Sequence, residues 1–65
     1  MIFIEMRKKI GTQEDFAKIL NVTQQAVNKW ETGKAYPRIP MLKKIAELFQ
    51  VSESEVLQAI DNSKK

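Results

Sequence analysis

The sequence predicts an all-α protein in which five short helices form one compact domain. Three observations support this prediction. Apolar residues recur at helical spacing, no stretch alternates apolar and polar residues as a half-buried strand would, and the chain has only 65 residues. Connections between the helices are about two to six residues long. We therefore expect a single domain over residues 1–61 and a frayed tail over 62–65.

Residues that favour helix ends mark the first three helices. Gly11 is expected to end helix one, which starts near residue 2, and the hydroxyl of Thr12 can cap helix two. Asn21 tolerates the left-handed conformation that ends a helix, and Thr23 can cap helix three, about residues 24–32. The apolar residues expected to face the core are Met6, Ile10, Phe16, Ile19, Leu20, Ala26, Val27 and Trp30.

The rest of the chain predicts a loop and two further helices. Gly33 ends helix three, and residues 34–37 form the loop. Helix four is expected within residues 38–50, and Ser52 with Glu55 forms a capping box for helix five, which runs to about residue 60. The apolar residues on the inner sides of these two helices are Leu42, Ile45, Ala46, Phe49, Val56, Leu57 and Ile60.

Composition excludes several classes of function. The chain has no cysteine and no histidine, so disulfides, thiolate or imidazole catalysis and the usual soft-ligand metal sites are ruled out. The acidic residues have no nucleophile or base beside them, and we expect no enzyme, cofactor or small-molecule ligand. No apolar run approaches the roughly 20 residues that cross a bilayer, so we expect a soluble cytoplasmic protein without a membrane partner.

The charge of the chain is unevenly distributed. The net charge is +3, and residues 1–38 hold seven basic and four acidic side chains whereas residues 39–65 hold four of each. All of the excess positive charge therefore lies in the N-terminal part, which favours an anionic partner for that part.

The outer face of helix three is rich in amides. On a helical wheel with about 100° per residue, one row of side chains lies opposite the apolar side of this helix. This row contains amides, one hydroxyl and one lysine but no acid: Gln24, Gln25, Asn28, Lys29 and Thr32. Glutamine and asparagine can pair bidentately with adenine in the major groove. Glu31 falls on the flank, where we expect it to be half-buried and to need a partner.

Four segments together resemble the XRE-type helix-turn-helix family, which includes the Cro proteins and repressors of lambdoid phages. The similarity covers about residues 5–57, and the segments are specific in their order and spacing rather than singly. They are Thr12-Gln13-Glu14-Asp15-Phe16-Ala17, Val22-Thr23-Gln24-Gln25-Ala26-Val27, Trp30-Glu31-Thr32-Gly33-Lys34 with Pro37, and residues 42–51 before Ser52. The resemblance implies a lambda-repressor-like domain in which helices two and three form the helix-turn-helix.

The resemblance also implies roles for individual residues. Helix three becomes the recognition helix, and the residues implied to read bases are Gln24, Gln25, Asn28 and Lys29. The residues implied to contact phosphates are Gln13, Thr23, Thr32, Lys34 and Arg38. Arg7 matches the arginine that pairs with the family's buried acid, here Glu31. Phosphate contacts would set affinity, and base contacts would set sequence preference.

The implied partner is a double-stranded DNA operator bound by a small repressor of the Cro type. Two copies on half-sites about 34 Å apart would supply the affinity that one copy lacks. Val56, Leu57 and Ile60 are either the dimer contact or part of the monomer core. An alternative is that the module acts mainly through a protein partner, as an antitoxin or anti-repressor would, which predicts an exposed apolar patch.

Overall fold

Hydroxyl side chains begin three of the five helices. In a computed structural model, which describes residues 2–63, the Oγ1 atoms of Thr12 and Thr23 and the Oγ atom of Ser52 each accept a hydrogen bond of 3.1 Å from a backbone N–H in the first helical turn. These three caps confirm the predicted helix starts. The helices are α1 (Phe3–Lys8), α2 (Gln13–Leu20), α3 (Gln24–Glu31), α4 (Ile39–Phe49) and α5 (Glu53–Asn62), and no strand occurs among the described residues.

Left-handed residues end two of the helices. Asn21 follows α2 with φ 58° and Gln50 follows α4 with φ 57°. The conformation of Asn21 confirms its prediction as a helix end. Gln50 was not predicted, since glutamine has no particular preference for this conformation.

The core draws apolar side chains from all five helices. α2 packs against α3, α4 packs against α5, and α1 contacts α2, α3 and α5. The ring of Phe3 meets Phe16 and Trp30 edge to face, with centroids 5.9 and 6.4 Å apart. The buried apolar residues are Phe3, Met6, Phe16, Ala17, Leu20, Val27, Trp30, Leu42, Ile45, Ala46, Val56, Ala59 and Ile60.

Helix α5 contributes its apolar side to this core. Val56 and Ile60 have no exposed surface, and Leu57 is half-buried and packs against the same cluster. Of the two alternatives for these residues, the structure therefore favours the monomer core. Within residues 2–63, no helix is both long and apolar enough to cross a bilayer.

The prediction that Gly11 ends the first helix is wrong. α1 stops at Lys8, and the chain reaches Gly11 through a turn in which the Ile10 and Gly11 N–H groups both donate to the Arg7 carbonyl. Gly11 adopts φ 157°, and a Cβ atom there would lie 2.8 Å from Asp15 Oδ2. The Asp15 carboxylate is held in this position because it accepts a hydrogen bond from the Thr12 N–H. Glycine is thus needed for a close approach to the start of α2 rather than for a helix cap.

Two predictions of burial, those of Ile19 and Glu31, are also corrected. Ile19 is 55% exposed, because the inward direction of α2 is set by Phe16, Ala17 and Leu20, and Ile19 projects from its flank. Ala26 is half-buried and packs against the core, as do Ile10, Phe49 and Leu57. Glu31 is buried rather than half-buried, with 3% of its surface exposed.

The predicted tail begins too early. Asn62 belongs to α5 and Ser63 is its C-cap residue. The Ser63 hydroxyl donates to the Ala59 carbonyl at 3.0 Å and accepts from the Phe3 N–H at 3.3 Å, which ties the end of α5 to the start of α1. Met1 of the predicted domain and residues 64–65 of the predicted tail lie outside the described residues.

Candidate nucleic-acid interface

A three-residue turn sets the angle between α2 and α3. The Asn21 N–H donates to the Lys18 carbonyl, and the Val22 N–H donates to the Ala17 carbonyl at 2.9 Å. Thr23 then caps α3. Ala17 is buried in α2, which packs against α3, and a small side chain between packed helices permits the close approach of their backbones. The turn and this small residue hold α3 in one orientation relative to the start of α2.

The row of polar side chains predicted on the outer face of α3 is exposed. Gln24, Gln25, Asn28, Lys29 and Thr32 all lie on the surface. A shallow cleft joins part of this row to the start of α2 and to the loop after α3. The residues lining this amide cleft are Gln13, Gln24, Gln25, Asn28, Lys29 and Lys34. The lining contains four amides and two lysines but no carboxylate, so the cleft offers hydrogen-bond donors, acceptors and positive charge together.

The loop after α3 places Lys34 at this cleft. Gly33 has φ 72°, a left-handed conformation that favours glycine over residues with a Cβ atom. The chain thereby reverses, and the Lys34 N–H donates to the Lys29 carbonyl at 2.9 Å. Lys34 consequently stands next to the end of the helix that carries the amide row.

An ion pair lies beneath the cleft. Arg7 Nε donates to Glu31 Oε2 at 2.6 Å, and Arg7 Nη2 donates to Glu31 Oε1 at 3.2 Å. A third bond joins Arg7 Nη1 to the Gly11 carbonyl at 3.0 Å. The hydrogen bond with Glu31 raises the pKa of the Arg7 guanidinium, which is the direction expected of a guanidinium beside a carboxylate. Arg7 therefore joins α1 to α3 and to the turn before α2.

A chain of hydrogen bonds connects this ion pair to the outer face. Gln13 Nε2 donates to Glu31 Oε1 at 2.9 Å, and Gln24 Nε2 donates to Gln13 Oε1 at 3.3 Å. We call Arg7, Glu31, Gln13 and Gln24 the polar relay. It runs from a buried carboxylate through a half-buried amide to an exposed one.

The other sequence-predicted site residues are placed less directly. Thr23 Oγ1 accepts from the Ala26 N–H and keeps its own proton to donate. Thr32 Oγ1 already donates to the carbonyls of Asn28 and Lys29, at 3.1 and 3.2 Å. Arg38 is exposed at the N-cap of α4, makes no side-chain capping bond and does not line the amide cleft. The cleft thus unites six of the predicted residues and leaves these three at its margins or beyond.

The Arg7–Glu31 pair implied by the family resemblance is present, but sequence reasoning missed the links through Gln13 and Gln24, because these residues are far apart along the chain. Gln13 and Glu31 are 18 residues apart, and Gln13 and Gln24 are 11 apart. One local signal was available. Gln13 and Gln24 each follow a capping threonine and so occupy the first position of α2 and α3, where the tight turn brings both helix starts to one side.

Comparison with known proteins yields a family match and a curated relative. A model of the XRE-type helix-turn-helix family matches residues 4–56. Over 46 residues the chain is 46% identical to the HTH-type transcriptional activator BcrR of Enterococcus faecalis. The matched region is 71% of this chain but 22% of BcrR, so the chain spans about a fifth of that relative's length. No solved structure gives a significant match.

Proposed function

Because the chain belongs to the XRE-type helix-turn-helix family, we propose that it is a sequence-specific DNA-binding regulator of transcription that reads the major groove with α3. The observation that carries this proposal is the amide cleft, whose lining holds donors, acceptors and two lysines without a carboxylate. An α-helix fits the major groove, where base edges present both donors and acceptors. The description of the relative as a transcriptional activator supports a role in transcription.

Base readout in this proposal belongs to the exposed row on α3. Gln24 and Gln25 stand in its first turn, which a recognition helix directs at the base edges, and Asn28 and Lys29 follow one turn later. Gln24 is the best candidate to bind adenine. One of its two N–H groups donates to Gln13, so that one N–H donor and one carbonyl acceptor of Gln24 remain for a base. Adenine N7 and N6 require that combination.

Phosphate contacts belong to the margins of the same face. Lys34 supplies positive charge after α3, and Gln13 lies at the start of α2, where free backbone N–H groups attract anions. Thr23 keeps a hydroxyl proton that it can donate to a phosphate. Thr32 would have to give up its hydrogen bonds to the Asn28 and Lys29 carbonyls before it could donate to a phosphate. Arg38 would contact a DNA phosphate outside the cleft.

Gln24→Ala is expected to relax sequence preference at one base pair. The variant removes a bidentate contact and should cost about 1–3 kcal/mol of discrimination there, with little change at other positions. Selection of duplexes from a randomised pool, followed by competition binding with single base-pair changes, measures this effect. If the wild-type chain enriches no motif, the proposed function is wrong. A uniform loss across all base pairs would instead remove Gln24 from readout.

Lys34→Ala is expected to weaken binding to all sequences alike. A phosphate contact releases counterions, so its loss should lower the slope of log affinity against log salt by about one. Salt titrations of the selected duplex and of an unrelated duplex provide the measurement. Lys43→Ala is the matched control, because Lys43 is an exposed lysine on α4 that does not line the cleft. Equal slopes for the two variants would contradict the assignment of Lys34.

We further propose that two copies bind a pseudo-palindromic operator and that occupancy of the operator represses transcription. One copy offers only a few phosphate contacts, and two half-sites about 34 Å apart would combine their affinities. Occlusion of polymerase needs no contact beyond that of the domain with DNA, whereas the relative is described as an activator. A reporter placed behind the selected operator separates the two outcomes, since repression lowers its expression and activation raises it.

A second candidate function is favoured by exposed apolar side chains that lie outside the amide cleft. Ile19 and Leu48 are both exposed and line one groove with Leu20, Lys44 and Glu47. Such a patch could receive a protein partner, as expected of an antitoxin or anti-repressor. Association that depends on Ile19 and is insensitive to salt, together with failure to select any DNA motif, would favour this candidate over the first.

A further inference from the structure

We propose that the buried Glu31 determines which base Gln24 accepts, by fixing the orientation of two side-chain amides in the polar relay. Glu31 cannot reach DNA itself, since 3% of its surface is exposed. It is therefore a positioning residue, and the inference rests on the proposed role of Gln24 in base readout. Glu31 acts through hydrogen bonds in which some atoms can donate and others can only accept.

The first step is the orientation of Gln13. An ionised carboxylate has no proton to donate, so Gln13 can face it only with its NH₂ group. The distance of 2.9 Å from Gln13 Nε2 to Glu31 Oε1 agrees with this requirement. With the NH₂ group directed inward, the carbonyl Oε1 of Gln13 points away from the ion pair.

The second step transfers this orientation to the outer face. Gln13 Oε1 can only accept, and so Gln24 must present its NH₂ group to it, at 3.3 Å. One N–H of Gln24 is then occupied. Its second N–H and its Oε1 remain for a ligand, in positions set by a carboxylate two hydrogen bonds away.

Arg7 holds the carboxylate that starts this sequence. It donates to both oxygens of Glu31 and also to the Gly11 carbonyl, at 2.6, 3.2 and 3.0 Å. Two parallel N–H···O bonds fix the plane of a carboxylate as well as its position. Oε1 of Glu31 thus lies in one place relative to Gln13.

The consequence for recognition is a preference for adenine over guanine. Adenine offers one acceptor and one donor in the major groove, whereas guanine offers two acceptors, N7 and O6. An amide with one free N–H and one free carbonyl can bind both groups of adenine. Beside guanine, its oxygen would face O6, and two acceptors cannot form a hydrogen bond. If the relay is released, Gln24 can rotate and offer both N–H groups to guanine N7 and O6. The preference of Gln24 for adenine over guanine then becomes smaller.

Glu31→Gln tests the inference directly. A neutral amide can show Gln13 either its NH₂ group or its carbonyl, so the orientation is no longer imposed. Against the duplex selected by the wild-type chain, we expect the adenine-to-guanine preference at the Gln24 base pair to fall roughly fivefold, with preferences at other base pairs unchanged. Glu14→Gln is the matched control, because it makes the same change in an exposed pair with Lys18 and should leave every preference intact.

Gln13→Met provides a second variant that keeps the Arg7–Glu31 pair and breaks the relay at its next link. If Glu31→Gln does not fold, Gln13→Met tests the inference in its place. We expect the same fall in preference at the same base pair. Because both changes release the same amide, the double variant should lose no more adenine-to-guanine preference than either single variant, as expected of residues in one network.

The outcomes separate this inference from the proposed function. Suppose that Gln24→Ala relaxes the sequence preference at one base pair while Glu31→Gln and Gln13→Met leave that preference unchanged. In that case the inference is wrong, and the proposed role of Gln24 in reading DNA stands. For Glu31→Gln, an equal loss of affinity on all sequences would show a merely structural role and would also overturn the inference. If no motif is selected at all, the proposed function fails instead.

A measurement without DNA gives an independent answer. The side-chain NH₂ protons of Gln24 can be followed by NMR in the free protein. Glu31→Gln should shift these protons toward the values of a solvent-exposed amide, although Glu31 does not contact Gln24. Unchanged Gln24 NH₂ shifts in a folded Glu31→Gln variant would refute the relay.

Discussion

Arg7→Met is expected to lower the free energy of unfolding by about 3 kcal/mol. The variant leaves the Glu31 carboxylate buried with no cation beside it, and removal of one partner of a buried pair costs roughly 3–5 kcal/mol. The lower end of this range applies because 12% of the Arg7 side chain is exposed and Gln13 still donates to Glu31. Urea unfolding followed by circular dichroism measures the change.

Lys18→Met is the matched control for Arg7→Met. It breaks the pair of Lys18 with Glu14, whose side chains are 74% and 67% exposed, and exposed pairs contribute about 0–1 kcal/mol. The double variant Arg7→Met/Glu31→Leu should recover part of the loss, because no charge is left buried without a partner. If Arg7→Met costs no more than Lys18→Met, the ion pair does not stabilise the contact of α1 with α3.

Phe3→Ala is expected to cost about 3–5 kcal/mol. The ring has no exposed surface and meets Phe16 and Trp30 edge to face, so its removal leaves a cavity where α1 contacts α2 and α3. α1 has only six residues and depends on such packing for its stability. Thermal unfolding should show a lower midpoint for this variant.

Ile39→Ala serves as the control for Phe3→Ala. Ile39 is also a large apolar residue, but it is 67% exposed, and a surface substitution of this kind changes stability by about 0.5 kcal/mol or less. Phe3→Leu, which keeps most of the apolar volume, should fall between the two. If Phe3→Ala unfolded at the same temperature as Ile39→Ala, the edge-to-face cluster would not be part of the stabilising core.

The sequence predicted those parts of the fold that depend on local chemistry. Thr12, Thr23 and Ser52 each place a hydroxyl before a helix, and Asn21 permits a left-handed residue, so the limits of α2 and α3 followed from the residues alone. The exposed amide row followed from helical periodicity. The composition of this row, together with the family resemblance, was sufficient to predict a DNA-binding face on α3.

Features that depend on distant contacts did not follow from the residues alone, and the Arg7–Glu31 pair was expected only from the family resemblance. Gly11 looked like a helix end, but its conformation serves the close approach of Asp15 across a turn. Ile19 was placed on the apolar stripe of α2 with Phe16 and Leu20, but the buried side of this helix includes Ala17, which leaves Ile19 on the exposed flank. The bond from Gln13 to Glu31 spans 18 residues and joins two polar side chains, which periodicity cannot relate.

The turn between α2 and α3 limits how this domain can evolve. It leaves one residue after Asn21 before the cap Thr23, and it sets the rotation of α3 about its own axis. A single inserted residue would rotate the following helix by about 100° and turn its amide row toward the core. New binding preferences can therefore arise by exchange of side chains on α3, while changes in the length of the turn would remove the face that carries them.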